Sequence, residues 1–236
     1  MAERSDASCA SAGASVDASA GADVDASANS ARAKVRVRLA CAEDAEDLRA
    51  VYAPYIDTAI TFEDVLPSAE EWRERVASIR AGYPYLAAEV REAGDAGWRI
   101  AGYAYAHAQH PRAAYRWNAE LSVYLAPAAR GRGLGSTLYR ALLELLRAQG
   151  IKSAYGLVTA PNPASDALHR AFGFDVMGIQ PDAGYKCGAW HGVTWYVKHL
   201  GAHDGTPAEP TPFPRLRDEQ PELVERVLAE ANAALQ

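Results

Sequence analysis

The sequence predicts an α/β fold in which a mixed central sheet of about seven strands is flanked by helices. Two observations support this prediction. Short runs of alternating apolar and polar residues, typical of strands, are interspersed with longer segments of helical period. A glycine-rich turn also joins one strand-like run, residues 121–125, to an amphipathic helix that begins near Gly133. Apolar residues make up 49% of the 236 residues, which is enough for a substantial core.

Each element follows from a local signal. Alternating apolar and polar residues predict strands over residues 34–39, 85–90, 98–106, 117–125, 153–159 and 194–200, and a strand that begins at 174–178. Apolar residues at helical spacing predict helices over residues 43–56, 68–79, 133–149 and 163–172. Pro54 marks the end of the first helix or a kink in it. Ser68, with Glu71 three residues later, forms a capping box for the second helix, and Gly150 closes the third.

The two ends of the chain differ in composition from residues 34–200, which we expect to form one domain. Residues 1–33 are rich in Ala, Ser and Asp, with no aromatic residue and almost no large aliphatic one. Such a segment buries too little apolar surface to offset the entropy of ordering, so we expect a disordered tail. It lacks the apolar stretch of a secretory signal.

Residues 201–236 are predicted to form a Pro-rich linker and a short C-terminal helix. Four prolines lie between 207 and 214, and they favour a stiff linker. Apolar residues then recur on one side of residues 222–235, as expected of an amphipathic helix. This helix would dock on its own domain, form a frayed tail or bind a partner.

Charge and cysteine content exclude several classes of protein. A net charge of −6 and a pI near 5.5 argue against nucleic-acid binding dominated by phosphate contacts. No apolar run approaches the roughly 18 residues of a membrane span. The cysteines at 9, 41 and 187 have neither metal-site spacing nor the pattern of a disulfide framework, so we expect no metal site. We therefore expect a cytoplasmic protein whose cysteines are reduced.

The glycine-rich turn is a candidate phosphate-binding loop. Its glycines allow the backbone to turn with its amides exposed, and the following helix adds unpaired N–H groups and a partial positive charge. Arginine side chains there can add charge-assisted hydrogen bonds to phosphate. The alternative is a turn that only starts a helix. The residues concerned are Arg130, Gly131, Arg132, Gly133, Leu134, Gly135 and Ser136.

The order of the loop and several separate segments resemble one known family. The loop pattern, Arg130-x-x-Gly133-x-Gly135, is similar to the acetyl-CoA pyrophosphate loop of the GNAT superfamily of N-acetyltransferases. Within it, the chain from Val35 to Leu200 resembles the phosphinothricin acetyltransferase group. The matching segments are YIDT at 55–58, TF at 61–62, EW at 71–72, YPYLAAE at 83–89, AGYAYA at 101–106, RxxYxWxxExSVY at 112–124, GLGSTLY at 133–139, AQGIKS at 148–153, LHxxFGF at 168–174 and GYKxGxWHxV at 184–193.

The resemblance implies the GNAT acyl-CoA N-acyltransferase fold and a cytoplasmic homodimer. It implies transfer of acetyl from acetyl-CoA to the α-amine of a small amino-acid-like substrate by direct attack. Phosphinothricin, methionine sulfoximine or a related analogue would be the acceptor. Backbone groups of Val123, Tyr124 and Leu125 would then meet the pantetheine arm of acetyl-CoA. Asn162 would contact the same arm, although its position also suits a helix N-cap.

Two residues are candidates for catalysis. The resemblance places Glu120 at the position of the catalytic carboxylate, and a base helps because an attacking amine must lose a proton. Apolar neighbours on its strand favour a half-buried site, which would raise its pKa. The alternative is an exposed carboxylate at a sheet edge. His169 stands where the phosphinothricin group has a histidine that assists the leaving thiolate. Without the resemblance, His169 would be interpreted as a helix-surface residue.

A further set of residues is expected to bind the acceptor. The guanidinium of Arg112 suits a carboxylate or phosphinate, and Tyr115 lies close by in sequence. Phe62 and Tyr105 would line the pocket, as would Tyr124, although each is equally suited to core packing. The chain departs from the phosphinothricin-specific members two residues before the arginine, where His110 replaces a lysine. A neutral imidazole weakens anion binding, which puts phosphinothricin itself in doubt.

Two other functions remain open at this stage. One is acetylation of protein N-termini or polyamines, against which Arg112 argues in the case of polyamines. The other is a non-catalytic acyl-CoA-binding module, which would keep the glycine loop without needing Glu120 and His169 together.

Overall fold

The structure is a computed structural model, and it describes residues 33–236. The tail predicted at 1–33 therefore lies, except for Ala33, outside the described residues. Seven strands are present in the described part: β1 (Lys34–Leu39), β2 (Tyr85–Arg91), β3 (Arg99–Ala108), β4 (Asn118–Leu125), β5 (Ser153–Ala160), β6 (Asp175–Lys186) and β7 (Ala189–His199). The α-helices there are α1 (Ala45–Tyr52), α2 (Ala69–Arg80), α3 (Leu134–Ala148), α4 (Pro163–Ala171), α5 (Phe213–Glu219) and α6 (Pro221–Ala233).

The strands form one sheet in the order β1-β2-β3-β4-β5-β7-β6. Neighbouring strands in the described chain run antiparallel except for β4 and β5, which are parallel. This confirms the predicted mixed sheet of seven strands. The parallel pair lies in the middle of the sheet, where the connection from β4 to β5 passes through α3.

Two hydrophobic clusters cover the two faces of the sheet. Helices α1 and α2 pack over one face through an aromatic cluster that includes Tyr52, Trp72 and Tyr103. Helices α3 and α6 pack over the other face, where Leu138 and Leu142 of α3 are fully buried. In the described part of the chain, no helix has the length and apolar character that a membrane crossing requires.

The helix boundaries follow the sequence signals closely. The Ser68 hydroxyl accepts from the Glu71 N–H, and the Glu71 carboxylate accepts from the Ser68 N–H, so the predicted capping box is confirmed. Helix α1 is shorter than predicted, because a 3₁₀ turn that contains Pro54, Ala53–Tyr55, replaces its last turn.

The C-terminal segment contains a helix that the sequence did not predict. The expected linker continues only to Pro212, and α5 follows directly. Prolines are tolerated in a first helical turn, where their missing N–H has no partner to lose, so Pro214 does not prevent this helix. Phe213 and Leu216 of α5 are buried in the core, and Asn232 of α6 makes two hydrogen bonds to the backbone of Val37 in β1. Of the three possibilities for the C-terminal helix, the structure shows docking on its own domain.

The buried position of Leu216 gives a test of this docking. Its side chain is 1% exposed in the core, so Leu216→Ala should lower the free energy of unfolding by about 2–5 kcal/mol. Val65 is 77% exposed, and Val65→Ala should change it by no more than about 0.5 kcal/mol. Urea titration followed by tryptophan fluorescence measures both values. Equal stability of the two variants would contradict the packed C-terminal helices.

Candidate active site

A gap opens in the middle of the sheet, between β4 and β5. Their parallel pairing covers Asn118 to Glu120 opposite Ser153 to Tyr155, and it ends there. Strand β4 nevertheless continues to Leu125 along β3, and β5 continues to Ala160 along β7. The two strands therefore separate beyond Glu120, each held by its outer neighbour.

Some backbone groups of β4 face this gap. Because Ala126 N–H donates to Ala101 C=O, the alternation of an antiparallel ladder turns the N–H and C=O of Leu125 and Val123 away from β3. The Tyr55 hydroxyl occupies both groups of Leu125, accepting from its N–H at 3.1 Å and donating to its C=O at 2.7 Å. The backbone of Tyr124 points to β3 instead, and its side chain enters the cavity described below. Of the three predicted residues, Val123 thus presents its backbone to the gap without a hydrogen-bond partner in β3.

The predicted phosphate loop lies between β4 and α3. Gly131 and Gly133 have positive φ values of 75° and 77°, a conformation that residues with a side chain rarely adopt. The first intrahelical bond of α3 runs from Thr137 N–H to Gly133 C=O, which leaves the preceding amides, including those of Gly135 and Ser136, without helical partners. N–H groups without helical partners at a helix start suit an anionic ligand.

The two loop arginines have different surroundings. The guanidinium of Arg130 lies over the Tyr55 ring at 5.5 Å. Arg132 is ion-paired with Glu92 at 2.9 Å, a largely exposed contact that a phosphate can replace at little cost. Both side chains are exposed at the entrance to the loop.

Glu120 lies in a cavity of about 390 Å³ on the face of the sheet that α1 and α2 cover. Alternation along β4 places Glu120, Ser122 and Tyr124 on this face. Two predicted acceptor-binding residues, Phe62 and Tyr105, line the same cavity. The remaining lining residues are Tyr52, Thr61, Glu63, Trp72, Arg75 and His107.

The carboxylate of Glu120 is half-buried, with 22% of the side chain exposed. Burial raises the pKa of Glu120 above its ordinary value, and the nearby imidazoles of His107 and His110 oppose that rise. His107 lies directly opposite Glu120 in the β3–β4 register, with 3.8 Å between its Nε2 and the carboxylate Oε1. A carboxylate with a raised pKa is a stronger base, which is the property expected of a proton acceptor.

Arg112 and Tyr115 do not line the cavity that contains Glu120. They line a separate cavity of about 330 Å³ together with His110 and Pro111. The Tyr115 ring is 4.7 Å from the His110 ring. In the single chain, the structure therefore does not bring the predicted anion-binding arginine into the cavity that contains Glu120.

Three charged or titratable residues of the main cavity were missed by the sequence analysis. Glu63 directly follows the predicted Phe62, and His107 follows Tyr105 by two residues on the same face of β3. The period of a strand would have found His107. Arg75 has no comparable signal, because an arginine on an amphipathic helix resembles an ordinary surface residue.

His169 is buried rather than on a helix surface. It is 4% exposed and stacks on the Tyr196 ring at 4.7 Å. Its Nδ1 is 2.8 Å from the C=O of Ser165, which can only accept, so Nδ1 carries the proton and Nε2 accepts from the Tyr139 hydroxyl at 2.9 Å. Burial lowers the pKa of His169 below its ordinary value, and the bond to Ser165 opposes this fall. The imidazole is therefore neutral near pH 7.

Asn162 begins helix α4. Its side-chain Oδ1 accepts from the Ser165 N–H at 3.2 Å, which is the N-cap role that the sequence left open. This bond holds the start of the helix that carries His169.

Lys186 anchors the loop that carries Phe62 and Glu63. The side chain is 7% exposed, and its ammonium group donates to the C=O of Thr61 and of Glu63 at 2.7 Å each. On the same strand, Gly184 lies against the Phe62 ring, where a Cβ would be 2.7 Å from the ring edge. The β6–β7 hairpin thus holds one wall of the main cavity.

Lys186→Met should loosen this wall. Two carbonyls would lose their donor, so the free energy of unfolding should fall by about 1–3 kcal/mol. Amide hydrogen exchange around residues 61–63 should become faster. Lys198→Met is the matched control, because its ammonium contact to Gly173 is exposed and 3.5 Å long. If exchange at 61–63 is the same in both variants, Lys186 does not hold the loop.

Comparisons with known proteins identify the family of this chain. Residues 37–195 match the family model described as an acetyltransferase (GNAT) domain. The chain is 35% identical to the phosphinothricin N-acetyltransferase of Streptomyces viridochromogenes, over 77% of this chain and 94% of that one. It is 34% identical to an L-methionine sulfoximine/L-methionine sulfone acetyltransferase of Pseudomonas paraeruginosa, over 70% and 94%. A crystal structure of a phosphinothricin acetyltransferase from Sinorhizobium meliloti with acetyl-CoA superimposes with a TM-score of 0.70 and 33% identity, over 78% and 99%. The chain therefore belongs to the GNAT superfamily of acetyl-CoA-dependent N-acetyltransferases, within its phosphinothricin acetyltransferase-like group.

Proposed function

We propose that the protein acetylates the α-amine of a small amino-acid-like substrate, such as methionine sulfoximine, phosphinothricin or a related analogue, by direct attack on the acetyl group. The observation that carries this proposal is the half-buried Glu120 in a cavity of about 390 Å³, beside the gap between β4 and β5. Small-molecule sites commonly have volumes of about 300–1,000 Å³. The named activities of the relatives support an amino-acid-like acceptor.

The residues around the gap and loop fit acetyl-CoA. Its pyrophosphate would meet the N–H groups from Gly131 to Ser136, where two left-handed glycines leave room for it. Its pantetheine arm would follow the gap and pair with the backbone of Val123. Arg130 and Arg132 would add positive charge beside the pyrophosphate. Asn162, which caps α4, would contact the pantetheine arm. When bound, acetyl-CoA supplies the acetyl group as a thioester.

Glu120 and His169 would act from opposite faces of the sheet. Glu120 accepts the proton that the ammonium group of the acceptor must lose, directly or through a water molecule. His169 contacts Tyr139 of α3, which packs on the other face. We assign the hydrogen-bonded pair of His169 and Tyr139 the task of assisting the leaving thiolate. Neither of the two cysteines in the described part of the chain, Cys41 and Cys187, lines the main cavity, so the proposal includes no acyl-cysteine intermediate.

The cavity favours a small acceptor over the alternatives. Its volume of about 390 Å³ has room for a free amino acid, and the named activities of the relatives support such an acceptor. The presence of His110 in place of a lysine favours related amino-acid analogues over phosphinothricin itself. A cytoplasmic location also stays a prediction.

The role of Glu120 is tested by Glu120→Gln, which keeps the shape and removes the proton acceptor. We expect kcat to fall by about 10²–10⁴-fold, with acetyl-CoA affinity nearly unchanged. Because the pKa of Glu120 is raised, the wild type should lose activity on the acid side at a pH above the ordinary carboxyl range. The variant should lack this limb, and its residual rate should rise with pH as the free amine accumulates.

Glu74→Gln, at an exposed carboxylate of α2, is the matched control and should behave as wild type. Near-normal kcat in Glu120→Gln would show that Glu120 only positions the acceptor. The double variant with His169→Ala would then show whether the imidazole is the base.

We further propose that the protein forms a homodimer through the β6–β7 hairpin. Within residues 33–236, strand β6 is an edge of the sheet, and its outer backbone groups have no neighbouring strand. Large apolar side chains that are 50–69% exposed cluster on this hairpin, as is typical of interfaces. They are Val176, Met177, Ile179, Tyr185 and Trp190.

Ile179→Lys should shift the protein from dimer to monomer in sedimentation equilibrium, because it places a charge on the proposed contact surface. Val65→Lys places the same charge at a 77% exposed residue outside the hairpin and should leave the dimer intact. A wild-type protein that is monomeric at micromolar concentration would exclude this interface.

A further inference from the structure

Arg75 is the only lysine or arginine among the described residues that line the cavity with Glu120. The cavity otherwise contains two carboxylates, those of Glu63 and Glu120, and the imidazole of His107. Since Arg112 lines a different cavity, the carboxylate of an amino-acid-like acceptor would find a cationic partner at Arg75.

Its neighbours hold this guanidinium in place. Arg75 Nη2 donates to Glu63 Oε1 at 2.6 Å, and the guanidinium carbon lies 5.1 Å from the centre of the Trp72 ring. Trp72 is 2% exposed and packs one turn earlier on α2, so it forms a rigid surface under Arg75. Arg75 Nε and Nη1 make no hydrogen bond to any residue in the described part of the chain, which leaves donors for a ligand.

Glu63 is fixed in turn by the protein backbone. The C=O of Glu63 accepts from the buried ammonium group of Lys186, so the carboxylate is carried on an anchored loop. Its second oxygen, Oε2, is buried and has no hydrogen-bond partner within the described residues. A buried acceptor without a partner is costly, and a donor group of a ligand would remove that cost.

We propose that Arg75 is the specificity-determining residue that binds the carboxylate of the acceptor. This inference rests on the proposed function, since it assumes that an amino-acid-like acceptor enters this cavity. The substrate amine would lie at Glu120, and the substrate carboxylate would accept hydrogen bonds from the free N–H groups of Arg75. Glu63 would hold the guanidinium through Oε1, and its Oε2 could accept a hydrogen bond from the substrate. A planar guanidinium is suited to such a paired contact.

This arrangement distinguishes between classes of amine. A polyamine would be attracted by Glu63 and Glu120 but repelled by Arg75, and it has no group for the free donors. An amino-acid amide has the amine but lacks the charge of the carboxylate. Free α-amino acids are the class that satisfies both ends of the cavity.

The experiment compares two acceptors that differ only at the carboxylate, L-methionine sulfone and its α-carboxamide. The wild type should prefer the acid. In Arg75→Gln, kcat/KM for the acid should fall about 10- to 100-fold, as expected for a lost hydrogen bond between charged groups. For the amide it should change less than about threefold. The acid-to-amide ratio is measured within each variant, so a general folding defect lowers both values and leaves the ratio unchanged.

Three further variants complete the test. Glu63→Gln removes the partner but keeps the guanidinium, so the preference for the acid should persist. The double variant Glu63→Gln with Arg75→Gln avoids an unpaired carboxylate, and its preference should be lost. Arg112→Gln should keep the wild-type ratio. An unchanged ratio in Arg75→Gln, together with a reduced one in Arg112→Gln, would overturn the proposal and place the carboxylate in the other cavity.

Failure of the proposed function gives a different result. In that case the wild type acetylates neither compound, and calorimetric titration with the same two compounds tests the subsite directly. Binding of the acid that is lost in Arg75→Gln would support the carboxylate site independently of acetyl transfer. Equal binding of the acid by wild type and Arg75→Gln, or no binding of the acid by the wild type, would contradict it.

Discussion

The early end of the parallel pairing between β4 and β5 determines how the rest of the site can be built. Buried backbone N–H and C=O groups require partners, and in a continuous sheet the neighbouring strand supplies them. Here the register stops at Glu120 opposite Tyr155, while β3 and β7 continue to pair on the outer sides. A shift of β4 toward β5 would break pairs with β3, so the gap is held open by its outer neighbours. The Tyr55 hydroxyl satisfies Leu125, and a ligand that pairs like a strand would satisfy Val123.

The gap also separates two chemical environments. On the face of α1 and α2, aromatic rings surround Glu120 and remove it partly from water. On the other face, the imidazole of His169 lies so close to β5 that a Cβ at residue 156 would be 2.0 Å from its Nε2. Gly156, the first β5 residue beyond the pairing, is therefore required by the position of His169. Two titratable groups thus lie on either side of the same opening.

Much of this could be predicted from the sequence because the signals are local. Alternation and capping located most strands and helices to within a few residues, although β7 begins at Ala189 and not at the predicted residue 194. The motif order predicted the superfamily, which is confirmed. Helix α5 was missed because proline content was interpreted as a linker, although its stability comes from tertiary burial of Phe213 and Leu216. Other features depend on contacts between segments that are distant in sequence. They are the position of Arg112 outside the main cavity, the position of Arg75 in its lining and the burial of His169. Local periodicity contains no information about those contacts.

Burial acts on the two titratable groups in opposite directions. It raises the pKa of Glu120 and lowers the pKa of His169, because burial favours the neutral carboxylic acid and the neutral imidazole. The two pKa values therefore move toward each other. The folded state binds more protons at Glu120 than the unfolded state, so this group reduces stability as pH rises through the carboxyl range. At His169 the unfolded state binds more protons, so stability falls as pH drops below the ordinary imidazole value. Ionising Glu120 in the folded state is therefore a net cost to the fold, whereas neutral His169 is not. The proposed role of Glu120 in proton transfer, beside a cavity with room for a small acceptor, would account for a carboxylate that does not add to stability.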